Sequence, residues 1–199
     1  MPSVRFYFDL GSPYAYLSAE RLDPLLEGPV QWQPVLLGGL FKLTGRSSWA
    51  LGDYRRRQAG MADIERRTRG YGLPPMRWPD PWPTDYLTAM RAATFAFGFG
   101  EAQGREFALR AFRDAFQRGA DLSIRAHVLD AAGQSGLSRA DTERAIGDPR
   151  TKQKLRNATD AAFEAGIFGV PTIAIDDELF WGDDRLVDAA SHLASLTTA

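Results

Sequence analysis

The sequence predicts an α/β protein in which two groups of β-strands are separated by an all-helical insertion. Segments rich in aromatic and β-branched residues, typical of strands, occur towards the two ends of the chain, at residues 4–9, 30–35 and 171–181. Between about residues 53 and 166 apolar residues recur instead at helical spacing, and strand signals are few. The 199 residues fit one domain, or one domain with a large insertion.

The first predicted strand, residues 4–9, runs directly into a helix. Pro13 suits the first helical turn, because its missing N–H would be unpaired there in any case. Ser12 then stands at the N-cap, and apolar residues follow at mostly helical spacing. Gly28 and Pro29 are expected to end this helix.

Residues 30–35 predict a second strand. The helix before it is long enough for a crossover, so the first two strands are expected to be parallel. Pro34 has no N–H for a strand ladder, which places it at the end of its strand or at a sheet edge.

The insertion is predicted to be a succession of helices. Its first part, residues 54–71, is polar and arginine-rich, but acidic residues interleave with the arginines. This part is therefore interpreted as a solvated helix face or a contact of the insertion, not as a nucleic-acid site. A proline-rich loop follows at residues 73–83, and an apolar helical stripe begins at Tyr86. Further helices are expected at residues 102–118, 124–133, 138–146 and 150–165.

The strand signal returns at residues 171–175 and 178–181, and a last helix is expected at about residues 183–195. The order βαβ, helices, ββα is that of a thioredoxin-like fold with an all-helical insertion domain. We expect residues 1–50 and 166–199 to form the thioredoxin-like domain and residues 51–165 to form the insertion.

Composition narrows the possible chemistry. The formal net charge is −1, so no overall field attracts nucleic acid or an acidic membrane, and a small molecule or another protein is the expected partner. The absence of cysteine excludes disulfides and cysteine nucleophiles. With only His127 and His192, neither a metal centre nor a Ser-His-Asp triad is expected. The sequence shows no signal-peptide pattern and no membrane-spanning stretch, so we expect a cytoplasmic location.

Ser12 is the first candidate site residue. A hydroxyl at a helix N-terminus, directly after a strand, lies where backbone N–H groups and the helix dipole favour an anion. An ordinary helix cap is the alternative interpretation. Without a suitably placed histidine Ser12 lacks an evident base, so it is a poor covalent nucleophile. We expect it instead to donate a hydrogen bond to the anionic sulfur of a bound thiol.

Val170 and Pro171 form the second candidate element. A proline that enters a strand requires an edge, a bulge or a cis bond. In thioredoxin folds this proline is cis and faces the reactive helix N-terminus, which frees the N–H and C=O of Val170 to pair with a peptide-like ligand. A plain turn proline before a strand is the alternative.

Asp183 and Asp184, which follow Trp181 and Gly182, form the third candidate element. Either aspartate could cap the final helix. Alternatively, acidic groups at this corner could bind the α-ammonium of a ligand while helix-start N–H groups hold its carboxylate. An amino-acid head with both charges fits such a corner.

These segments together resemble the 2-hydroxychromene-2-carboxylate isomerases, which are relatives of the kappa-class glutathione transferases. The resemblance covers nearly the whole chain and rests on residues 6–17 (FYFDLGSPYAYL), 38–45 (GGLFKLTG), 168–172 (FGVPT) and 181–185 (WGDDR). It implies a glutathione-dependent isomerase with glutathione as cofactor. Because relatives are commonly dimers, it also implies a homodimer.

The resemblance implies roles for individual residues. Its glutathione-binding residues would be Ser12, Val170, Pro171, Trp181, Gly182, Asp183 and Asp184. Ser12 would lie beside the glutathione sulfur and be the catalytic residue. Lys42 matches a family lysine that faces the substrate, and Tyr86 matches an aromatic residue beside it. Taken alone, Lys42 is typical of a surface lysine, and Tyr86 belongs to the core-facing stripe of its helix.

The substrate end departs from the family pattern. Relatives often carry asparagines after the Thr-Gly pair and before the helix that starts near Leu87, where this chain has residues 46–49 (RSSW) and Asp85. The family reaction interconverts 2-hydroxychromene-2-carboxylate and trans-o-hydroxybenzylidenepyruvate in aromatic-compound catabolism. An aromatic or unsaturated acid is therefore the expected substrate. Two alternatives stay open: a kappa-class-like glutathione transferase acting on another electrophile, and a non-catalytic thioredoxin-like module that binds peptides.

Overall fold

A four-stranded mixed sheet organises the computed structural model, which describes residues 2–197. Its strands are β1 (Val4–Phe8), β2 (Val30–Pro34), β3 (Thr172–Ile175) and β4 (Glu178–Trp181), in the spatial order β2-β1-β3-β4. β1 is parallel to β2 and antiparallel to β3, and β3 is antiparallel to β4. This is the thioredoxin-like α/β fold that the sequence predicts.

Helices connect the strands and form the insertion. Between β1 and β2 lie α1 (Pro13–Ala19) and α2 (Leu22–Leu25). After β2 come α3 (Leu37–Thr44), α4 (Tyr54–Gly70), α5 (Leu87–Ala96), α6 (Glu101–Arg118), α7 (Arg125–Gln134), α8 (Arg139–Gly147) and α9 (Pro149–Glu164). The last helix is α10 (Leu186–Thr197). Among residues 2–197, no helix is both long enough and apolar enough to cross a membrane.

The first helix is shorter than expected. α1 ends at Ala19, and α2 follows as a separate single turn. Pro24 accounts for the break, because a proline inside a helix removes a hydrogen bond and its ring clashes with the carbonyl four residues earlier. The prediction of one helix up to Gly28 was therefore wrong. The final helix likewise begins after a 3-10 turn, Asp183–Arg185.

The sheet and the insertion share one hydrophobic core. Phe8 of β1 packs against Phe112 of α6, with ring centroids 5.9 Å apart, and Tyr16 of α1 packs against Phe112 and Phe116. All four side chains are fully buried. The division of the chain into residues 1–50, 51–165 and 166–199 stays a prediction about sequence segments that pack into a common interior.

β2 forms one edge of the sheet and ends at Pro34, as the proline in this strand predicts. The edge is partly covered by the insertion, since the Trp32 N–H donates to the Glu101 carboxylate at 2.8 Å. Because this backbone N–H of the edge strand is already paired, it cannot bind a further strand.

Candidate active site

A cavity of about 530 Å³ lies at the carboxyl end of β1, a volume within the range of about 300–1,000 Å³ that small-molecule sites occupy. It is bounded by the loop before α1, the start of α3, the segment before β3 and the end of β4. The residues predicted to bind glutathione all line it: Ser12, Val170, Pro171, Trp181, Gly182, Asp183 and Asp184. Three distant stretches of sequence thus meet in one site.

Ser12 is held at the start of α1. Its Oγ accepts the Ala15 N–H at 3.2 Å, so the serine is an N-cap, and its hydroxyl points towards the Val170 carbonyl oxygen at 3.5 Å. The second contact is too long to be a strong O–H···O hydrogen bond. The hydroxyl proton is therefore available to a better acceptor in the cavity. α1 has only seven residues. We therefore expect the hydrogen bond from the Ser12 hydroxyl to contribute more to binding an anion here than the helix dipole does.

Asp9 fixes the loop that carries Ser12. Its buried carboxylate accepts the Gly11 N–H at 2.8 Å and the Leu37 N–H at 2.7 Å. These bonds join the loop before α1 to the first residue of α3, two segments that line the cavity. Burial raises the pKa of Asp9 to about 6, although both backbone N–H groups favour the carboxylate.

Tyr86 packs against the same loop from behind the cavity. A Cβ atom on Gly11 would lie 2.7 Å from Cδ2 of the Tyr86 ring, so the glycine permits the close approach of backbone and ring. Tyr86 is buried and does not line the cavity. Burial also raises the pKa of its hydroxyl. The structure thus places Tyr86 behind the predicted site, where it shapes the turn before Ser12.

The Val170–Pro171 peptide bond is cis and lies opposite Ser12. The Pro171 carbonyl oxygen accepts the Gly182 N–H at 3.0 Å, which ties this segment to the end of β4. Within residues 2–197, the Val170 N–H makes no hydrogen bond. A backbone donor that lines a cavity without a partner is suited to a peptide-like ligand.

The two aspartates after Gly182 have different environments. The side chain of Asp183 is only 2% exposed and accepts Arg67 Nη1 and the Tyr71 hydroxyl, each at 2.9 Å. Burial raises the pKa of Asp183, while Arg67 opposes the rise. The side chain of Asp184 is 63% exposed and lies 3.8 Å from Arg67 Nη1. Neither side chain caps the 3-10 turn Asp183–Arg185 that precedes the final helix. Asp183 holds the insertion against the site, and Asp184 is the carboxylate available to a ligand.

The remaining wall is aromatic and cationic. Trp49 and Trp82 line the cavity with ring centroids 5.5 Å apart, and Gly60 leaves the space that Trp49 fills. The cations on the lining are Arg46, Arg56, Arg67 and Arg185. Lys42 lies exposed on α3 and does not line the cavity. Among residues 2–197, no group of three His, Asp or Glu side chains is placed to hold a metal ion.

Several contributors were missed by the sequence interpretation. Asp9 could have been found, since an acidic residue that ends an aromatic strand is a candidate buried carboxylate. Arg67 was treated as one member of an arginine-rich helix, and its exposed neighbour Arg66 is indeed paired only within that helix, with Asp63. No local signal links Arg67 or Tyr71 to Asp183, because they lie on a separate element more than a hundred positions away.

Comparisons with known proteins identify the family to which this fold belongs. Residues 3–194 match the family model of the DSBA-like thioredoxin domain. The chain is 25% identical over 197 residues to a 2-hydroxychromene-2-carboxylate isomerase of Pseudomonas putida, covering 97% of this chain and 95% of the relative. It is 27% identical over 210 residues to human glutathione S-transferase kappa 1, covering 96% and 90% respectively.

A solved structure of a 2-hydroxychromene-2-carboxylate isomerase superposes with a TM-score of 0.86 at 23% identity, covering 98% of this chain and 95% of that one. At this identity the superposition speaks for the fold alone. The full-length relatives are enzymes, which confirms the sequence-based prediction of an enzyme and the resemblance from which it came. With nearly its whole length matched, the chain belongs to the DSBA-like thioredoxin domain family.

Proposed function

We propose that the chain is a glutathione-dependent isomerase that interconverts 2-hydroxychromene-2-carboxylate and trans-o-hydroxybenzylidenepyruvate. The observation that carries this proposal is the convergence of Ser12, the cis-proline segment and the end of β4 on one cavity. Each of these three segments carries part of the resemblance to the isomerase family, and that resemblance is the basis for predicting glutathione binding. A homodimer and a cytoplasmic location stay predictions.

The lining residues fit a glutathione molecule. The Val170 N–H has no partner within residues 2–197 and can pair with the peptide backbone of the ligand. The exposed carboxylate of Asp184 can accept the α-ammonium of the γ-glutamyl group. Ser12, whose Oγ lies 3.5 Å from the Val170 carbonyl oxygen, is then placed to meet the cysteinyl side chain of the same ligand.

Glutathione, when bound, supplies a thiolate able to add reversibly to a conjugated double bond. The role of Ser12 is to donate its hydroxyl hydrogen bond to an anion at the start of α1, which favours the ionised form of a thiol over its neutral form. Asp9 and Tyr86 hold the backbone of this loop in place. Trp49 and Trp82 provide an apolar wall against which a flat unsaturated acid can lie away from water.

Calorimetric titration with glutathione, followed by product analysis with trans-o-hydroxybenzylidenepyruvate, tests the proposal. We expect glutathione to bind and to be recovered unconsumed after turnover. Ser12→Ala should reduce glutathione-dependent turnover by about 10²- to 10³-fold, the usual cost of removing one donor to a developing charge. Ser138→Ala, which removes the N-cap serine of α8 and does not line the cavity, is the matched control and should change turnover less than threefold.

Two results would contradict the proposal. If glutathione gave no heat of binding and no dependence of turnover on its concentration, the cofactor assignment would be wrong. If Ser12→Ala retained full glutathione-dependent turnover, the serine would be a helix cap only. In that case its substitution should still lower the free energy of unfolding by about 1 kcal/mol, as loss of a cap does.

A kappa-class-like transferase is the second candidate. It is favoured by the 27% identity to the human kappa-class relative and by the changed loop at residues 46–49 on the substrate side. Consumption of glutathione in proportion to product distinguishes a transferase from an isomerase. Lys42 stays a predicted substrate residue for either enzyme. Because Lys42 is exposed and does not line the cavity, the cations available to a substrate in the cavity are arginines.

A further inference from the structure

Arg46 lies across the mouth of the cavity. It follows Gly45, whose left-handed backbone (φ 66°) ends α3, and its N–H donates to the Phe41 carbonyl oxygen at 3.1 Å. Its guanidinium carbon lies 4.9 Å from the Phe168 ring centroid and 5.3 Å from that of Trp181. The end of α3 thereby reaches the two aromatic residues that flank the cis-proline segment and the end of β4.

The two rings form a fixed base for this guanidinium. Phe168 and Trp181 meet edge to face with centroids 4.8 Å apart, and the Trp181 indole packs against Gly169, where a Cβ atom would lie 2.7 Å from Nε1. The guanidinium carbon of Arg46 is within cation–π range of both ring centroids, and this attraction leaves its N–H groups available to a ligand. These N–H groups match the geometry of a carboxylate.

The charge of Arg46 is not neutralised by the protein. Two other arginines on the lining are paired, Arg67 with Asp183 and Arg185 with Asp188. Within residues 2–197, neither Arg46 nor Arg56 forms an ion pair. An unpaired cation on the rim of an aromatic cavity, held close to two aromatic rings, is suited to a carboxylate on an otherwise apolar ligand.

We propose that Arg46 binds a ligand carboxylate at the mouth of the cavity and so selects anionic ligands over neutral ones. The inference rests on the proposed function for the identity of the site. Two ligands of that function carry such a group: the unsaturated acid, and glutathione through its glycyl carboxylate. In this chain Arg46 provides the contact that the family resemblance assigns to Lys42.

Binding measurements separate the two sources of carboxylate. For the acid, protein saturated with S-methylglutathione, which has no free thiol, is titrated with trans-benzylidenepyruvate and with benzylideneacetone, which lacks the carboxylate. For glutathione, the free protein is titrated with glutathione and with its glycyl ethyl ester. The variants are Arg46→Gln, Arg46→Lys and, as a matched control, Arg55→Gln, which removes an exposed arginine of α4 that does not line the cavity.

We expect Arg46→Gln to weaken the binding of either trans-benzylidenepyruvate or glutathione by roughly 10- to 100-fold, the range for hydrogen bonds to charged groups. Binding of the matching ligand that lacks this carboxylate should change less than twofold. Arg46→Lys keeps the charge but loses the planar fork, so its loss should be intermediate. Arg55→Gln should leave all four titrations unchanged.

The inference is overturned if Arg46→Gln affects ligands with and without the carboxylate equally, or affects neither, or if Lys42→Gln produces the selective loss instead. Failure of the proposed function has a different signature, which is the absence of glutathione binding by the wild-type protein. In that event the free protein, titrated without S-methylglutathione, still reports whether Arg46 distinguishes benzylidenepyruvate from benzylideneacetone.

Discussion

The cavity has two walls that are built in different ways. The wall around Ser12 and Pro171 comes from the ends of paired strands and from the segments directly attached to them. The opposite wall, which contains Arg46 and Trp49, comes from a loop between two helices and from side chains of the insertion. Strand register fixes the first wall to within one residue, whereas the second depends on how separate helices pack. Changes to each wall should therefore have different consequences.

The largest expected effect is at the point where the two walls are joined. Asp183→Ala removes the buried acceptor that Arg67 and the Tyr71 hydroxyl share, although Arg67 keeps its ion pair with Asp63. The loss of two hydrogen bonds to a buried carboxylate should lower the free energy of unfolding by about 3 kcal/mol. Urea denaturation measures the loss. If this variant does not fold, Asp183→Asn can be measured instead. Asparagine keeps the side-chain volume and one acceptor oxygen, so we expect a smaller decrease in the free energy of unfolding.

Asp184→Asn is the matched control for that experiment. Its side chain is exposed, so the free energy of unfolding should change by no more than about 0.5 kcal/mol. Its affinity for glutathione should nevertheless fall roughly tenfold, because a charge-assisted hydrogen bond is lost. Equal destabilisation by the two variants would contradict the different roles given to the two aspartates.

The next effect concerns Asp9, which joins the loop before α1 to α3. Its pKa is raised from 3.8 to about 6 in the folded protein, mainly by burial. A raised carboxyl pKa contributes stability that is fully present below about pH 4 and is lost as pH rises through about 6. We therefore expect the stability of the wild type relative to Asp9→Asn to fall between pH 4 and pH 7, by up to about 3 kcal/mol.

Urea denaturation of both proteins across this range isolates the contribution, because the other carboxyl groups are common to both. A difference that is constant with pH would show that Asp9 has an ordinary pKa. A difference that grows with pH would show that the N–H groups of Gly11 and Leu37 outweigh burial.

A smaller effect is expected at the turn before Ser12. Gly11→Ala introduces a Cβ atom 2.7 Å from the Tyr86 ring, and crowding of this kind costs about 1–3 kcal/mol in a packed interior. Gly38→Ala is the control, because a Cβ atom there meets nothing within 4 Å and lies on α3. It should be neutral or stabilise the protein by up to about 1 kcal/mol. Thermal denaturation of the two variants distinguishes a steric requirement from a general cost of replacing glycine.

The sequence predicted the strand-built wall well. The strand before Ser12 and the proline before β3 are local patterns, and the fold places consecutive ends of paired strands side by side. The partners of Asp183 were not predictable in this way, because an arginine on a polar helix looks like any solvated charge until the helix is packed. Lys42 and Tyr86 were assigned by resemblance alone, and their side chains lie outside the cavity because helix rotation and burial are not encoded in a short motif.

The pairing of β1 with β3 has a consequence for the order in which the chain can fold. β1 lies inside the sheet, yet one of its two neighbours, β3, belongs to a part of the chain that is synthesised only after the helices of the insertion. Until that part leaves the ribosome, one side of β1 has no strand partner. The helices of the insertion are synthesised in the interval, and Phe112 of α6 can cover Phe8 during this time. During synthesis the insertion can therefore cover an incomplete sheet, and in the folded protein it forms one wall of the site.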